Sequence, residues 1–350
     1  MPTQLPSIRD IARHLNVSHV TVSMALRDSP RISAERRREV RRAADELGYR
    51  PDPMLSSLVA YRNRKRVKPV AATLAWLNRW PDPQDLRRHK EFDAYWIGAK
   101  AAAERMGYRL EEFALNDVMK GRRLNQILQA RGVKGLLVPP QRFNTGWNDL
   151  GIDWSKFSVV RFGFSVSDLR AHMIGNDQMR SSELAVKQMA LAGYRRIGYV
   201  SAVNHDNATD GNFRMGYLRA LELDERLARL EPLLLEPESD SESPEFLRRF
   251  ATWLKQQRVD AILTSEARVL GTLKGIGVKV PEEVAIAATS ARDGGGIDAG
   301  LDQNPMEIGR VAVHTLIESI NRREYGEPDF CRRVLVESSW IDGASLPRKG

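Results

Sequence analysis

Cysteine is almost missing: the chain of 350 residues has one, Cys331. That excludes a disulfide within the chain and any zinc site built on thiolates. Long apolar runs are missing too; none approaches the roughly 18 residues that cross a bilayer. The first residues, Met1-Pro2-Thr3-Gln4-Leu5-Pro6-Ser7, lack the basic start and apolar stretch of an export signal, so a cytoplasmic protein without membrane contact is expected. The six histidines (His14, His19, His89, His172, His205 and His314) show no metal-binding spacing. There is no G-x-S-x-G elbow, and Gly294-Gly295-Gly296 lacks the Lys-Ser/Thr of a phosphate loop, which leaves it a flexible loop. These absences predict no catalytic site, no metal and no cofactor. What is present, 42% hydrophobic and 28% charged residues, supports a sizeable core, and the length fits two to three domains at about 150 residues each.

The positive charge is concentrated. The net charge is +9, and residues 1–69 hold 15 Lys/Arg against 7 Asp/Glu, whereas the remainder holds 39 against 38. A basic tail that aids solubility and a head that binds a polyanion both fit this count. Lysines and arginines that neutralise phosphates release condensed counterions, and this supplies most non-specific DNA affinity.

Local sequence decides between the two. Ser7 caps a helix with apolar Ile8, Ile11, Ala12 and Leu15 at i, i+3, i+4 and i+7, and Asp10 completes a capping box. Asn16-Val17 breaks the pattern. Ser18 then caps a second helix that turns Val22, Ala25 and Leu26 inward and leaves His19, Val20, Thr21, Ser23 and Met24 elsewhere. Ser33 caps a third, with Val40, Ala43, Ala44 and Leu47, closed by Gly48. Two helices on a tight turn with a third beneath form a helix-turn-helix, whose second helix enters the major groove by its N-terminal residues.

Ile8-Arg9-Asp10-Ile11-Ala12, Val17 through Leu26, Ile32-Ser33 and Leu47-Gly48-Tyr49-Arg50-Pro51 resemble the head of the LacI/GalR family of transcriptional regulators. The resemblance implies base contacts from His19, Val20 and Met24, and phosphate contacts from Ser18, Thr21, Ser23 and Arg31 that position the head without reading sequence. Met24 departs from the pattern: an Arg or Lys is common there and bonds guanine. Val20 and Met24 instead suit a thymine methyl, so readout leaning to A·T is expected at the bases they face.

Asp52-Pro53 is a good start for a helix over Met54-Leu55-Ser56-Ser57-Leu58-Val59-Ala60, followed by the basic run Arg62 to Lys68. So short a helix is marginal alone in water. It is similar to the family's hinge helix, which folds when two copies meet in the minor groove, and Leu58 stands where a leucine wedges between the central base pairs. Asp52 and Leu55 replace the usual Asn and Ala.

Beyond Val70 apolar runs alternate with amphipathic segments. Strands are expected at Val70–Leu77, Tyr108–Phe113, Val133–Val138, Ser158–Phe162, Arg196–Ser201, Pro232–Leu235, Ala261–Thr264 and Ala285–Ala288. Helices fall between them, among them Ala94–Met106, Arg122–Arg131, Ser181–Leu191, Phe213–Leu223, Glu245–Gln257 and Arg268–Lys274. This alternation predicts an α/β region of two doubly wound parallel-sheet subdomains, with ligand at the carboxyl ends of the strands. It resembles the periplasmic-binding-protein-like effector domain of the same family, carried by Ala192-Gly193-Tyr194-Arg195-Arg196-Ile197-Gly198-Tyr199, Val259-Asp260-Ala261-Ile262 and Val280-Pro281-Glu282-Glu283-Val284-Ala285-Ile286. The expected organisation is an all-α head at 1–50, a hinge and basic linker at 51–69, and an effector and dimerisation domain at 70–350. Its N-subdomain is placed at about 70–174 and 303–333, its C-subdomain at about 175–302 and 334–350.

The pocket departs from the family pattern. Where sugar-responsive members carry an Arg three residues before a Gly, this chain has Phe213 before Gly216; Ser265-Glu266 replaces Asn-Asp, and Ser290-Ala291 replaces Asp-Asp. Gln303 matches. A sugar pocket without that Arg and Asp loses its strongest charge-assisted bonds. Trp76, Phe213 and Trp147 are candidate stacking faces, and Ser265, Ser290 and Gln303 candidate polar ones. A differently decorated carbohydrate, a less polar effector and no effector stay open. The reading as a whole is a homodimeric, sequence-specific repressor on a pseudo-palindromic operator, since two-fold protein symmetry demands matching half-sites. The alternative is a DNA-binding or architectural protein with no effector; a secreted solute-binding protein would need an export signal and no basic head.

Overall fold

The computed structural model describes residues 6–26, 32–49, 72–115, 120–142, 146–147, 150–236 and 243–349. The chain divides into two compact units, Met1–Pro69 and Val70–Gly350.

The first unit contains α1 (Ile8–His14), α2 (His19–Leu26) and α3 (Ala34–Glu46). Each starts where local chemistry satisfies its free N–H groups. The Ser7 N–H donates to Asp10 at 2.8 Å, the Ser18 hydroxyl accepts from the Thr21 N–H at 3.0 Å, and Ser33 accepts from the Arg36 N–H at 3.3 Å. The α1–α2 turn passes through Asn16 at φ 48°, a left-handed conformation that Asn tolerates. Helix α3 ends at Gly48, φ 67°, with the Tyr49 N–H donating to the Ala44 carbonyl at 2.8 Å, the closure of a Schellman motif. Ile11, Ala12, Val22, Ala25, Val40, Ala43 and Ala44 are buried together, with Leu15, Leu26 and Leu47 packed against them.

The second unit is built on two six-stranded sheets. Sheet one joins β1 (Ala72–Asn78), β2 (Tyr108–Ala114), β3 (Val133–Val138), β4 (Ser158–Phe162), β5 (His172–Asn176) and β11 (Arg333–Val336) in the order β11-β5-β4-β3-β1-β2, all parallel. Sheet two joins β6 (Ile197–Ala202), β7 (Leu233–Leu235), β8 (Ala261–Thr264), β9 (Ala285–Ala288), β10 (Gly300–Asp302) and β12 (Ser339–Ile341) in the order β12-β10-β9-β8-β6-β7, with β12 antiparallel to β10. The strands that helices cover on both faces are mostly apolar, as β6 and β8 illustrate, and every residue in these two is buried.

Helices α4 (Pro83–Arg88), α5 (Lys90–Arg105), α6 (Gly121–Ala130) and α12 (Pro305–Arg322) belong to the first sheet. Leu74, Ala99, Ala103, Ile308, Ala312 and Leu316 share the core on the α5/α12 face, and Leu77, Leu124, Leu128, Leu136 and Phe157 the core on the other. Helices α7 (Gln178–Leu191), α8 (Val203–Ala208), α9 (Asn212–Leu223), α10 (Pro244–Gln257) and α11 (Arg268–Gly275) belong to the second. There, Val186, Met189, Tyr199 and Tyr217 fill one face, while Phe250, Trp253, Val269 and Ile286 fill the other.

The chain passes between the sheets after β5, after β10 and after β11. The subdomain boundaries therefore fall after Asn176 and Val336, not within these strands at 174 and 333: both strands complete sheet one, through ladders that local sequence does not show. Side chains tie the crossings together. Asn176 Nδ2 donates to the Val336 carbonyl at 3.1 Å and to Ser338 Oγ at 2.8 Å; Ser181 Oγ lies 2.7 Å from Ser338 Oγ; Asn304 Nδ2 donates to the Glu337 carbonyl at 2.8 Å. Three strands of chain so joined form a hinge, the geometry that lets two lobes open and close.

Candidate nucleic-acid interface and ligand cleft

In the head, α2 buries only Val22 and Ala25. His19 and Val20 are exposed, and Thr21, Ser23 and Met24 half-buried. Val20 leaves 51% of its surface in solvent, because its place on α2 is off the buried stripe of Val22 and Ala25. An exposed apolar side chain beside exposed polar ones, on the second helix of a helix-turn-helix, is what a base-reading surface requires. Ser18 and Thr21 also hold each other, Oγ to Oγ1 at 2.8 Å, which fixes the helix start. Arg31, Leu58 and the hinge segment at 51–69 lie outside the described residues.

In the second unit the carboxyl ends of the two sheets meet. Helix α5 starts on the carboxyl side of β1, and its first N–H groups are bonded by a residue that follows β9: Lys90 N–H to Asp293 Oδ1 at 2.9 Å and Glu91 N–H to Asp293 Oδ2 at 3.2 Å. Ser290 Oγ donates to Glu91 Oε1 at 2.6 Å. Glu91 is almost fully buried, and burial pushes its carboxyl up to about 7. Gln303 lies next to this junction, its Nε2 donating to the Thr289 carbonyl at 2.9 Å.

A second polar group sits at the ends of β6 and β8. Ser201 Oγ lies 2.8 Å from Ser265 Oγ and 3.3 Å from His205 Nδ1; Ser265 donates to Glu266 Oε1 at 3.2 Å, and Glu266 also accepts from the Ala202 N–H at 3.3 Å. Burial holds the His205 imidazole below its ordinary range against the pull of Glu266 and Asp206, favouring the neutral ring. Arg214, next to Phe213, is committed to Asp206, its Nε 3.1 Å from Oδ2.

Three expectations about rings are corrected. Trp76 is fully buried in β1, packed edge-on against Trp96 at 5.4 Å and against Phe162 at 5.2 Å. Phe213 is buried in the core beneath α9 and stacks on His205 at 6.0 Å. Trp147 is enclosed in the core of the first sheet. None of these rings has a face left for a ligand; packing used them all. Glu91, Asp293, Ser201 and His205 are not marked as pocket residues by the sequence. Only their places after strand ends set them apart, and such positions hold many ordinary polar residues. Among the described residues no three His, Cys, Asp or Glu side chains converge on a metal position, and no helix is long and apolar enough to cross a membrane.

Residues 7–52 match the model of the bacterial regulatory proteins of the lacI family. The head is thus similar to those of LacI/GalR-family regulators. The chain is 22% identical over 346 residues to the transcriptional regulator MalR of Streptococcus pneumoniae, covering 96% of this chain and 99% of MalR. To GntR of Escherichia coli it is 24% identical over 299 residues, 84% of each chain. Among solved structures, the transcriptional regulator CelR in complex with cellobiose superposes with a TM-score of 0.60 at 20% identity, over 96% of this chain and 98% of that one. The lac repressor dimer bound to operator gives 0.53 at 14%, over 98% of this chain and 100% of the other. With a head that matches the lacI-family model and relatives along its length that are transcriptional regulators, the chain is a DNA-binding transcriptional regulator whose second unit shares the fold of the CelR and lac repressor structures.

Proposed function

We propose that this regulator is a cytoplasmic, non-enzymatic repressor that binds a pseudo-palindromic operator as a homodimer and whose grip is set by a small molecule in the cleft of its second unit. The exposed face of α2 carries the reading. His19, Val20 and Met24 face the bases and Ser18, Thr21, Ser23 and Arg31 the backbone, with Leu58 at the minor groove and residues 51–69 as the hinge between a head at 1–50 and the effector domain. The excess of positive charge over the first 69 residues supplies the sequence-independent part of the affinity.

The effector takes its polar contacts from Ser201, His205, Ser265, Glu266, Ser290 and Gln303 at the strand ends of the second sheet and from Glu91 of the first subdomain. Hydroxyl, amide, imidazole and carboxylate groups crowded at strand ends suit a polyhydroxylated molecule, and the similarity to a cellobiose-bound regulator supports that class. With Trp76, Trp147 and Phe213 closed in the core, hydrogen bonds rather than these rings hold it. Such control is a coupling between two sites, as large as the effector's differential affinity for the two states.

Selection of genomic fragments bound by the full chain tests the proposal. The expected result is a palindrome, with neighbouring genes that handle carbohydrates and a sugar derivative among their metabolites that changes fragment affinity. Fragments with no shared motif, or an affinity no such metabolite moves, would remove it.

A further inference from the structure

The junction between the sheets is made entirely from the chain's own groups. Asp293, from the loop after β9, accepts the first two N–H groups of α5 in the other subdomain, doing the work of a capping side chain across the cleft. Three residues earlier in that loop Ser290 donates to Glu91, and Ser290 Oγ also accepts from the Asp293 N–H at 3.4 Å. Opening the cleft breaks three bonds between subdomains and returns Glu91 to water.

Glu91 is the buried carboxyl of this junction. Its Oε2 is buried and has no hydrogen-bond partner. A lone buried carboxylate oxygen is costly when charged and acceptable when protonated. The groups facing it are Asp293 and Asp302, which oppose its ionisation, and Arg292, which favours it but is paired with Asp302 at 3.2 Å. On its own helix Lys90 precedes it and Tyr95 lies one turn on, also raised by burial and by the Glu91 charge.

We propose that Glu91, Ser290 and Asp293 form a proton-linked latch that closes the two subdomains without a ligand. The proposal rests on the reading of this cleft as the regulator's control element, and adds that protons act on it as well as the effector. The sign follows from linkage. In the closed form the Glu91 carboxyl sits near 7, and in the open form it returns towards 4.5. Closed protein therefore binds the proton more tightly; the stabilisation of closure is complete below the open value and is lost as pH rises through 7. Between pH 6 and 8 the closed-to-open ratio should fall about tenfold.

The test is a distance measurement on the full chain without DNA or ligand. Spin labels go on exposed Gln129 and Glu222, one in each subdomain, with exposed Cys331 replaced by Ser and labelled protein diluted in unlabelled. Wild type should move from mostly the short distance at pH 6 towards the long one at pH 8. Glu91→Gln, which keeps the acceptor for Ser290 and carries no charge, should stay short at both. Ser290→Ala should shift the balance to the long distance at pH 6, and serves if Glu91→Gln does not fold. A wild-type distance that ignores pH, or a Glu91→Gln variant with the wild-type profile, overturns the latch. Either result leaves DNA reading by the head untouched, because no DNA takes part.

Discussion

At Gly98 two effects oppose each other. In the middle of α5 a glycine costs about 1 kcal/mol relative to alanine through backbone entropy. Yet a Cβ there would overlap the carbonyl oxygen of Met306, and a Cβ at Gly309 would overlap that of Tyr95, because α5 and α12 touch backbone to backbone at this crossing. Backbone does not yield as a flexible side chain would, so overlap wins. Gly98→Ala should lower stability by about 1–3 kcal/mol, read as a lower urea midpoint for the second unit. The same scale governs readout in the head. Met24 offers thymine a methyl-sized apolar surface, whereas an arginine forks onto guanine. Met24→Arg should move the selected half-site from A·T towards G·C at one position, by about 1–3 kcal/mol of discrimination, and fragment selection with both proteins would show it.

Helix α2 depends on its first residue. It holds no acidic side chain in its first turn, so Ser18 is the group that offsets its free N–H groups there. Ser18→Ala should cost about 1 kcal/mol of head stability and weaken all fragments alike, visible as a lower melting point for the head and a uniformly raised Kd. Elements with local signals like this one were legible in the sequence: the three head helices, and the strands at Val133–Val138, Ser158–Phe162, Ala261–Thr264 and Ala285–Ala288, whose apolar runs match the observed spans. Elements made by distant partners were not. Strand β5 contains His172, Gly175 and Asn176, an unpromising run, and is a strand because β4 and β11 flank it. Helix α5 begins at Lys90 rather than Ala94, since the carboxylate that bonds its first turn belongs to Asp293. Within the cleft Ser290 and Gln303 were legible from family position, while Glu91, the partner that gives Ser290 its meaning, was not.

Over the whole molecule, charge and fold separate the tasks. The first 69 residues carry most of the net charge of +9, whereas the residues after them are nearly neutral and build two sheets joined by a bonded hinge. Affinity for DNA should therefore fall steeply with salt, log affinity against log concentration giving a straight line whose slope tracks the phosphates neutralised. The most direct measurement is binding of a selected genomic fragment, in parallel, by the full chain and by residues 70–350. The account predicts tight, salt-sensitive binding by the first and none by the second. Retention of the same fragment by residues 70–350 would contradict it.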